Sequence, residues 1–226
     1  MMQSPLTAWY GLVRFGFRLL YNEFAFTYDI VSAVVSMGAW RCWGRAALPF
    51  LNASPGDSVL EIAHGTGNLH LDLHGAGYRV VGIDLSPNMG AITQRKLKRA
   101  ARSSTLIRAQ AQALPFKSQQ FKSVVSTFPA EFIVAPETIR EVHRVLQSGG
   151  HFVIVPNAVF TSKGAGAQGL ELLYRITGQR ENSPTGGDAR PTFQMAQFFA
   201  DFGFSAEIRQ VPCPRSLVTV IVAVKF

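Results

Sequence analysis

From residue 58 onward, apolar and polar positions alternate in a repeating cycle. Short runs rich in β-branched residues fall at 58–63 (SVLEIA), 78–84 (YRVVGID), 105–111 (TLIRAQA), 121–127 (FKSVVST) and 151–156 (HFVIVP). Between them, segments 68–75, 87–102 and 136–147 carry their apolar residues at helical spacing. Strand, helix, strand at this interval predicts a parallel sheet with crossover helices. Gly149 and Gly150 read as the stop of the helix that runs to Gln147. The last stretch differs: a helix over 192–202, then two strands, 204–211 and 217–226, joined by a short connection containing Pro212. So short a link predicts an antiparallel pair. The expected architecture is therefore a mostly parallel α/β sheet with one reversed strand at or near its C-terminal edge.

Residues 6–50 read as helical, an extension ahead of a domain spanning 51–226. Residues 157–191, rich in glycine and polar side chains with a helical piece at 168–176, read as a cover over the site. At 226 residues, 47% of them hydrophobic and 16% charged, the chain supports a sizeable core. Two cysteines, Cys42 and Cys213, lie far apart and in no metal-ligand spacing. They predict neither a disulfide framework nor a zinc site, and hence a reducing, cytoplasmic setting. The N-terminus lacks the features of a signal peptide, and no uncharged apolar run is long enough to span a bilayer.

The chemistry concentrates where the first strand meets its helix. Gly65 and Gly67 let backbone N–H groups approach a ligand at a helix start, and Asp84 ends the next strand 19 residues after Gly65, the spacing at which an acid reaches ribose hydroxyls. The dinucleotide pattern G-x-G-x-x-G fails because His70 stands at its third glycine, and no Gly-Lys-Ser/Thr of a P-loop is present. What remains is Glu61, then Gly65-Thr66-Gly67, then Asp84.

This order resembles the S-adenosylmethionine loop of class I methyltransferases. Asp84-Leu85-Ser86-Pro87-Asn88-Met89 is similar to that family's D-x-S-x-x-M, Gln110-Ala111-Gln112-Ala113-Leu114-Pro115-Phe116 to its D-A-E-x-L-P-F, and Glu141 to Gly150 to its E-x-x-R-V-L-x-P-G-G. The resemblance covers residues 58–156 and implies a Rossmann-like, seven-stranded fold with S-adenosylmethionine as cofactor and S-adenosylhomocysteine as product. It implies cofactor contacts from Glu61, Ala63, Gly65, Gly67, Asp84, Leu85, Met89, Gln110 and Ala111. Three positions depart from the pattern. Ala63 replaces the first loop glycine, His64 a Cys or Gly, and Gln110 the adenine-binding Asp, whose acceptor role its amide oxygen can keep.

Upstream, Tyr28-Asp29-Ile30-Val31-Ser32 and Ser36-Met37-Gly38-Ala39-Trp40-Arg41-Cys42-Trp43 resemble a Y-D-x-x-N…S-x-G-x-x-R-x-W pattern of the ubiquinone/menaquinone C-methyltransferases. That likeness implies Tyr28 near the donor methionine, and an apolar, quinone- or lipid-like acceptor. On the acceptor side, Phe128, Glu131 and Asn157 are the candidates for substrate contact, and Glu131, Tyr28 and His64 for catalysis; Glu131 also reads as a solvated loop acid or helix cap, and His64 reads first as a loop residue packed or hydrogen-bonded beside the cofactor. His70 and His74 share an i, i+4 face, but with only Asp72 nearby and on another face they assign no metal, and His143 reads as structural.

The net charge of +8 and a pI near 9.9 point to anionic surroundings. Arg95, Lys96, Lys98, Arg99 and Arg102 form a basic run, read as a solvated helix face or as a contact for anionic lipid or nucleic acid. A nucleic-acid or protein methyltransferase is the rival reading. It is disfavoured because Phe128-Pro129-Ala130-Glu131 stands where such enzymes carry N/D-P-P-Y and no recognition domain is present. A non-catalytic binder of the same nucleotide, or a membrane-peripheral interaction protein, is the other. Eight aromatics between Trp9 and Tyr28 mark the extension as an interfacial helix or as a lid on the substrate cavity, and both uses suit an apolar substrate.

Overall fold

The computed structural model describes residues 27–161 and 189–226, with the side chains of 189–193 excepted. The expected cover helix at 168–176 and the aromatic segment before Thr27 lie outside the described residues. The described chain opens with two short helices, α1 (Tyr28–Val35) and α2 (Trp40–Arg45), and a 3-10 turn at Leu48–Phe50. The alternating core follows: β1 (Ser58–Ile62), α3 (Asn68–Gly75), β2 (Arg79–Asp84), α4 (Pro87–Arg99), β3 (Thr105–Arg108) and β4 (Phe121–Thr127). A 3-10 turn (Glu131–Val134), α5 (Pro136–Val145), β5 (Leu146–Phe160), α6 (Ala189–Ala200), β6 (Phe204–Cys213) and β7 (Ser216–Lys225) complete it.

The seven strands lie in the order β3-β2-β1-β4-β5-β7-β6. All neighbours from β3 to β5 are parallel, and β7 runs antiparallel to both β5 and β6. The reversed strand is thus next to the edge. Strand order switches direction between β1 and β4, where a crevice opens beyond the carboxyl ends.

Side-chain alternation divides the core into two layers. One face carries Leu60, Ile62, Val124, Phe152, Ile154 and Ile221, buried beneath Ile139 and Val142 of α5 and Phe199 of α6. The other carries Val59, Val80, Val125, Val153, Val220 and Val222, beneath Leu69 and Leu73 of α3 and Trp43 of α2. The slim valine face leaves room for Trp43, wholly buried, whose indole N–H donates to Ser216 Oγ at 2.8 Å.

The strand expected over 105–111 stops at Arg108, and residues 157–160, expected in the cover, extend β5 beside β7. Two further expectations need correction. The helix expected to run to Gln147 ends at Val145, and Leu146 already pairs with Phe121 as the start of β5. The stop comes from tertiary contacts: Leu146 is fully buried, and Lys225 Nζ reaches from β7 to the carbonyls of His143 and Leu146 at 2.6 and 2.9 Å. Burial holds that ammonium below the usual lysine range. Second, Cys42 and Cys213 are joined in a disulfide, Cα atoms 6.0 Å apart across 171 residues of sequence. Folding brings α2 onto the end of the β6–β7 hairpin, a proximity that sequence spacing does not carry. The ground for inferring a reducing setting falls with it. Among the described residues no helix is long and apolar enough to cross a membrane.

Candidate active site

Beyond the carboxyl ends of β1, β2 and β4 lies a cavity of about 460 Å³, within the range of small-molecule sites. Its floor is the glycine loop. Ala63, at φ 56°, takes the left-handed conformation that a glycine adopts without strain, and Gly65 and Gly67 follow at 54° and 78°. In front of Gly65 the space is open: a Cβ built there meets nothing within 4 Å. Behind Gly67 it is closed, with Thr93 Cγ2 at 2.5 Å from such an atom. The loop is open on its cavity side and shut on its core side, which is the cradle a bound ligand needs.

Asp84 fixes this loop. Its Oδ2 accepts the Gly65 N–H at 2.9 Å and its Oδ1 the Ser86 N–H at 2.8 Å. Ser86 then caps α4, accepting from the Met89 N–H at 3.3 Å, with Pro87 in the first turn. Thr93 Oγ1 donates to the Gly65 carbonyl at 2.9 Å, and His64 Nδ1 lies 2.9 Å from the same oxygen. His64, only 5% exposed, is thus bound to the loop it belongs to.

Beneath the loop sits a pair that sequence reading did not anticipate. Glu61 is buried and its Oε2 lies 2.7 Å from Nδ1 of His70, itself without exposure. His70 Nε2 meets Ser104 Oγ at 2.7 Å, and Ser104 donates to the Val80 carbonyl. Both ring nitrogens are therefore taken up in the protein's own bonding. His74 lies beside this ring, centroids 5.3 Å apart, and burial followed by the charges of His70 and Arg102 holds it below the usual histidine range.

The opposite wall comes from the N-terminal helices. Tyr28, Trp40, Arg41 and Gly44 line the cavity together with Phe128, Pro129 and Phe132. Trp40 stacks at 4.6 Å on Phe128, which Trp43 also approaches at 5.8 Å. Asp29 attaches this wall to the loop: Oδ1 accepts from Thr66 Oγ1 at 2.6 Å and Asn68 Nδ2 at 2.9 Å, and Oδ2 from Lys96 at 2.6 Å. Burial pushes Asp29 upward, but the bonds from Lys96, Thr66 and Asn68 outweigh it and hold the carboxyl below its usual range. Asp72 pairs with both Arg41 and Arg45, tying α2 to α3.

Of the residues singled out in the sequence, the cavity gathers Tyr28, Glu61, Ala63, His64, Gly65, Asp84, Leu85 and Phe128. Gly67 supports the loop from behind. Met89 and Ala111 lie in the core, Gln110 is exposed, and none of the three lines the cavity. Glu131 is exposed at the start of its 3-10 turn, outside the wall formed by Ala130 and Phe132. Asn157 lies at the irregularity in β5 and likewise outside. Sequence reading missed Asp29, Trp40, Arg41 and Arg108 as parts of the site; for the first three the upstream motif was the available signal. The Gln110–Phe116 stretch is instead locked to α5. Glu141 accepts the Leu114 N–H at 2.7 Å, and Arg144 donates to Glu141 and to the carbonyls of Phe116 and Leu114.

The fold recurs in solved structures of methyltransferases. A SAM-dependent methyltransferase of Thermotoga maritima matches 92% of this chain and 99% of its own, at 17% identity and a TM-score of 0.62. A Haemonchus contortus phosphoethanolamine N-methyltransferase matches 83% of this chain and 53% of its own, at 18% identity and a TM-score of 0.62. The fold is that of the class I methyltransferases, and the family match and sequence relatives below make the chain a class I S-adenosylmethionine-dependent methyltransferase.

Sequence comparison narrows the class. The model of the ubiE/COQ5 methyltransferase family matches residues 17–165, and the chain belongs to that family. It is 30% identical over 210 residues to a demethylmenaquinone methyltransferase of Thermus thermophilus, spanning 92% of this chain and 91% of that one. It is 31% identical over 144 residues to a ubiquinone/menaquinone biosynthesis C-methyltransferase of Geobacter sp., spanning 61% of each.

Proposed function

We propose that this methyltransferase acts on a quinone-like hydrophobic acceptor in its reduced, hydroxyl-bearing form, and methylates a ring carbon. The observation that carries the reading is the juxtaposition, across one cavity, of the glycine loop with an aromatic wall of Tyr28, Trp40, Phe128 and Phe132. A planar apolar ring fits such a wall by stacking and edge contacts. The names of the Thermus and Geobacter relatives support the acceptor class.

The residues present fit the cofactor, because the loop is open before Gly65 and backed by Thr93 behind Gly67. Glu61, Ala63, Gly65, Asp84 and Leu85 would hold it, with Gly67 and Met89 as support from the core. When bound, S-adenosylmethionine supplies an electrophilic methyl group on a sulfonium. The protein's part is to hold the acceptor in line and exclude water, and orientation of this kind lowers a barrier by roughly 7–11 kcal/mol. Asp29 serves that end by fixing Tyr28 and α1 against the loop. Residues 1–50 act in this reading as a lid that completes the acceptor side, ahead of a donor-binding domain at 51–226. His64 shapes the loop. Glu131, as a base, would need its turn to rotate inward. Peripheral contact of the N-terminal helices with a membrane belongs to the same reading, since the acceptor class partitions into bilayers.

The test is calorimetric titration with S-adenosylmethionine and S-adenosylhomocysteine, NAD as control, followed by transfer of labelled methyl to a short-chain naphthoquinol under reducing conditions. Binding of both sulfur nucleotides and a ring-methylated product are expected. Donor binding with transfer to amines or thiols but not to quinols would overturn the acceptor assignment.

A further inference from the structure

Helix α1 is amphipathic in the inverted sense. Its inward positions are Ser32 and Ser36, 6% and 0% exposed, and its outward ones are Ile30, Val31 and Val34, exposed by 67%, 39% and 71%. Met37, in the turn after α1, continues the 30, 34, 37 stripe and is also exposed. Ser36 serves the chain's own backbone: its Oγ accepts the Trp40 N–H at 2.9 Å and lies 3.3 Å from the Ala33 carbonyl, to which it donates. A helix facing water turns its polar side outward, and a contiguous exposed apolar face marks contact with another phase. At the cavity itself Leu85 is both a lining residue and 56% exposed.

Helix α4, tied to α1 through Lys96 and Asp29, carries the basic run. Arg95, Lys98, Arg99 and Arg102 are exposed, and no acid occurs between Asp84 and Glu131 to offset them. Lys96, the fifth cation, is turned to Asp29 at 2.6 Å and so joins α4 to the first turn of α1. The helix with the exposed apolar stripe and the helix with the exposed cations are thus tied to each other, and their first residues, Tyr28 and Pro87, both line the cavity.

We propose that α1 and α4 form a docking surface for an anionic bilayer, with Ile30, Val31 and Val34 at the acyl boundary and the α4 cations on lipid phosphates. The cavity mouth then faces the lipid, and a hydrophobic acceptor enters without crossing water; this last point rests on the acceptor assignment above. Buried apolar area and attraction to anionic head groups act together in such binding, so both arms are required.

The experiment is co-sedimentation of the full chain with vesicles of phosphatidylcholine containing about one third phosphatidylglycerol, beside pure phosphatidylcholine vesicles. Binding to the anionic vesicles alone is expected. The I30S/V34S variant should lose at least about tenfold in vesicle affinity, and the R95E/K98E variant its preference for the anionic composition. Methyl transfer to a water-soluble short-chain quinol should be unchanged in I30S/V34S, while transfer to a long-chain quinol embedded in vesicles falls. If the wild type binds vesicles but methylates neither quinol, the acceptor assignment fails and the docking surface stands. No binding by the wild type to anionic vesicles, or I30S/V34S binding as the wild type does, would overturn the surface. So would a wild-type dimer that I30S/V34S converts to a monomer, since a second copy would then cover the face. Binding of RNA lost in R95E/K98E with vesicle binding intact would reassign the cations and overturn it as well.

Discussion

Gly67→Ala probes the loop where its geometry is tightest. At φ 78° the new residue sits in the left-handed region, which costs a non-glycine residue about 1–2 kcal/mol. Its Cβ also lands 2.5 Å from Thr93 Cγ2 and 2.7 Å from Thr93 Oγ1. Thr93 has no exposure and is stiff at χ1 within α4, so it cannot swing away without breaking its bond to the Gly65 carbonyl. Overpacking of this kind costs about 1–3 kcal/mol, so the substitution should destabilise by about 2–5 kcal/mol in all.

The two parts separate in a double-mutant cycle. Thr93→Ala alone loses a hydrogen bond and a buried methyl, about 2 kcal/mol together. In the double variant the contacts at 2.5 and 2.7 Å vanish while the backbone strain remains. The sum of the single effects should then exceed the double effect by about 1–3 kcal/mol. Urea unfolding with unchanged m measures the cycle, and calorimetry with S-adenosylmethionine measures the loop, where Gly67→Ala should weaken binding about tenfold or more. Gly67→Ala within about 0.5 kcal/mol of the wild type, or strict additivity with Thr93→Ala, would refute the claim that the loop is backed by Thr93.

Two further outcomes follow from contacts remote from the cavity. Reduction of Cys42–Cys213, which closes a loop of 171 residues, should lower stability by about 2–5 kcal/mol, the upper figure being the loop-closure value; urea midpoints with and without reductant measure it, and two free thiols by titration in native, unreduced protein would refute the pairing. Glu141 is held below its usual range first by Arg144, so its contribution is fully present above the unfolded carboxyl pKa of 4.5 and lost as pH falls through the lower folded value. Glu141→Gln should therefore be less stable near neutrality by a constant margin that shrinks on acidification below about pH 4.5; a margin independent of pH would show that the Arg144 contact contributes nothing through charge.

The alternating half of the molecule was legible because its determinants are local. The order and placement of strands and helices from 58 to 127 follow from β-branched runs and from Ser86-Pro87 as a cap, although the strand expected over 105–111 stops at Arg108 and the helix expected over 87–102 at Arg99. The glycine loop was legible for the same reason, since positive φ and close approach are demands on single residues. What escaped was set by contacts between distant residues. The end of α5 is dictated by Lys225, and the disulfide by the packing of α2 on the hairpin. Glu131 was placed correctly after β4, but the direction of a loop side chain is decided by its turn; Asn157, expected just after a strand ending at 156, lies inside β5, which runs on to Phe160, and neither lines the cavity. His70 looked like half of a metal pair by spacing; its partner proved to be Glu61, one strand away.

Asp29 explains why the acceptor side could not be read from the alternating pattern at all. The donor side is built by strands whose order the hydrophobic pattern dictates. The acceptor wall is built by α1 and α2, which have little core of their own, and whose placement depends on polar ties. Asp29 gathers Thr66 and Asn68 from the loop and Lys96 from α4 onto one carboxylate, Asp72 gathers Arg41 and Arg45, and Trp43 with Cys42 fixes the far end. Asp29 is only half-buried, and its three donors together hold its carboxyl below the usual range against the upward push of desolvation. The loop, the basic helix and the aromatic wall are therefore coupled through one side chain. A change that loosens the loop should be felt at Tyr28, and one that frees α1 should be felt at Gly65.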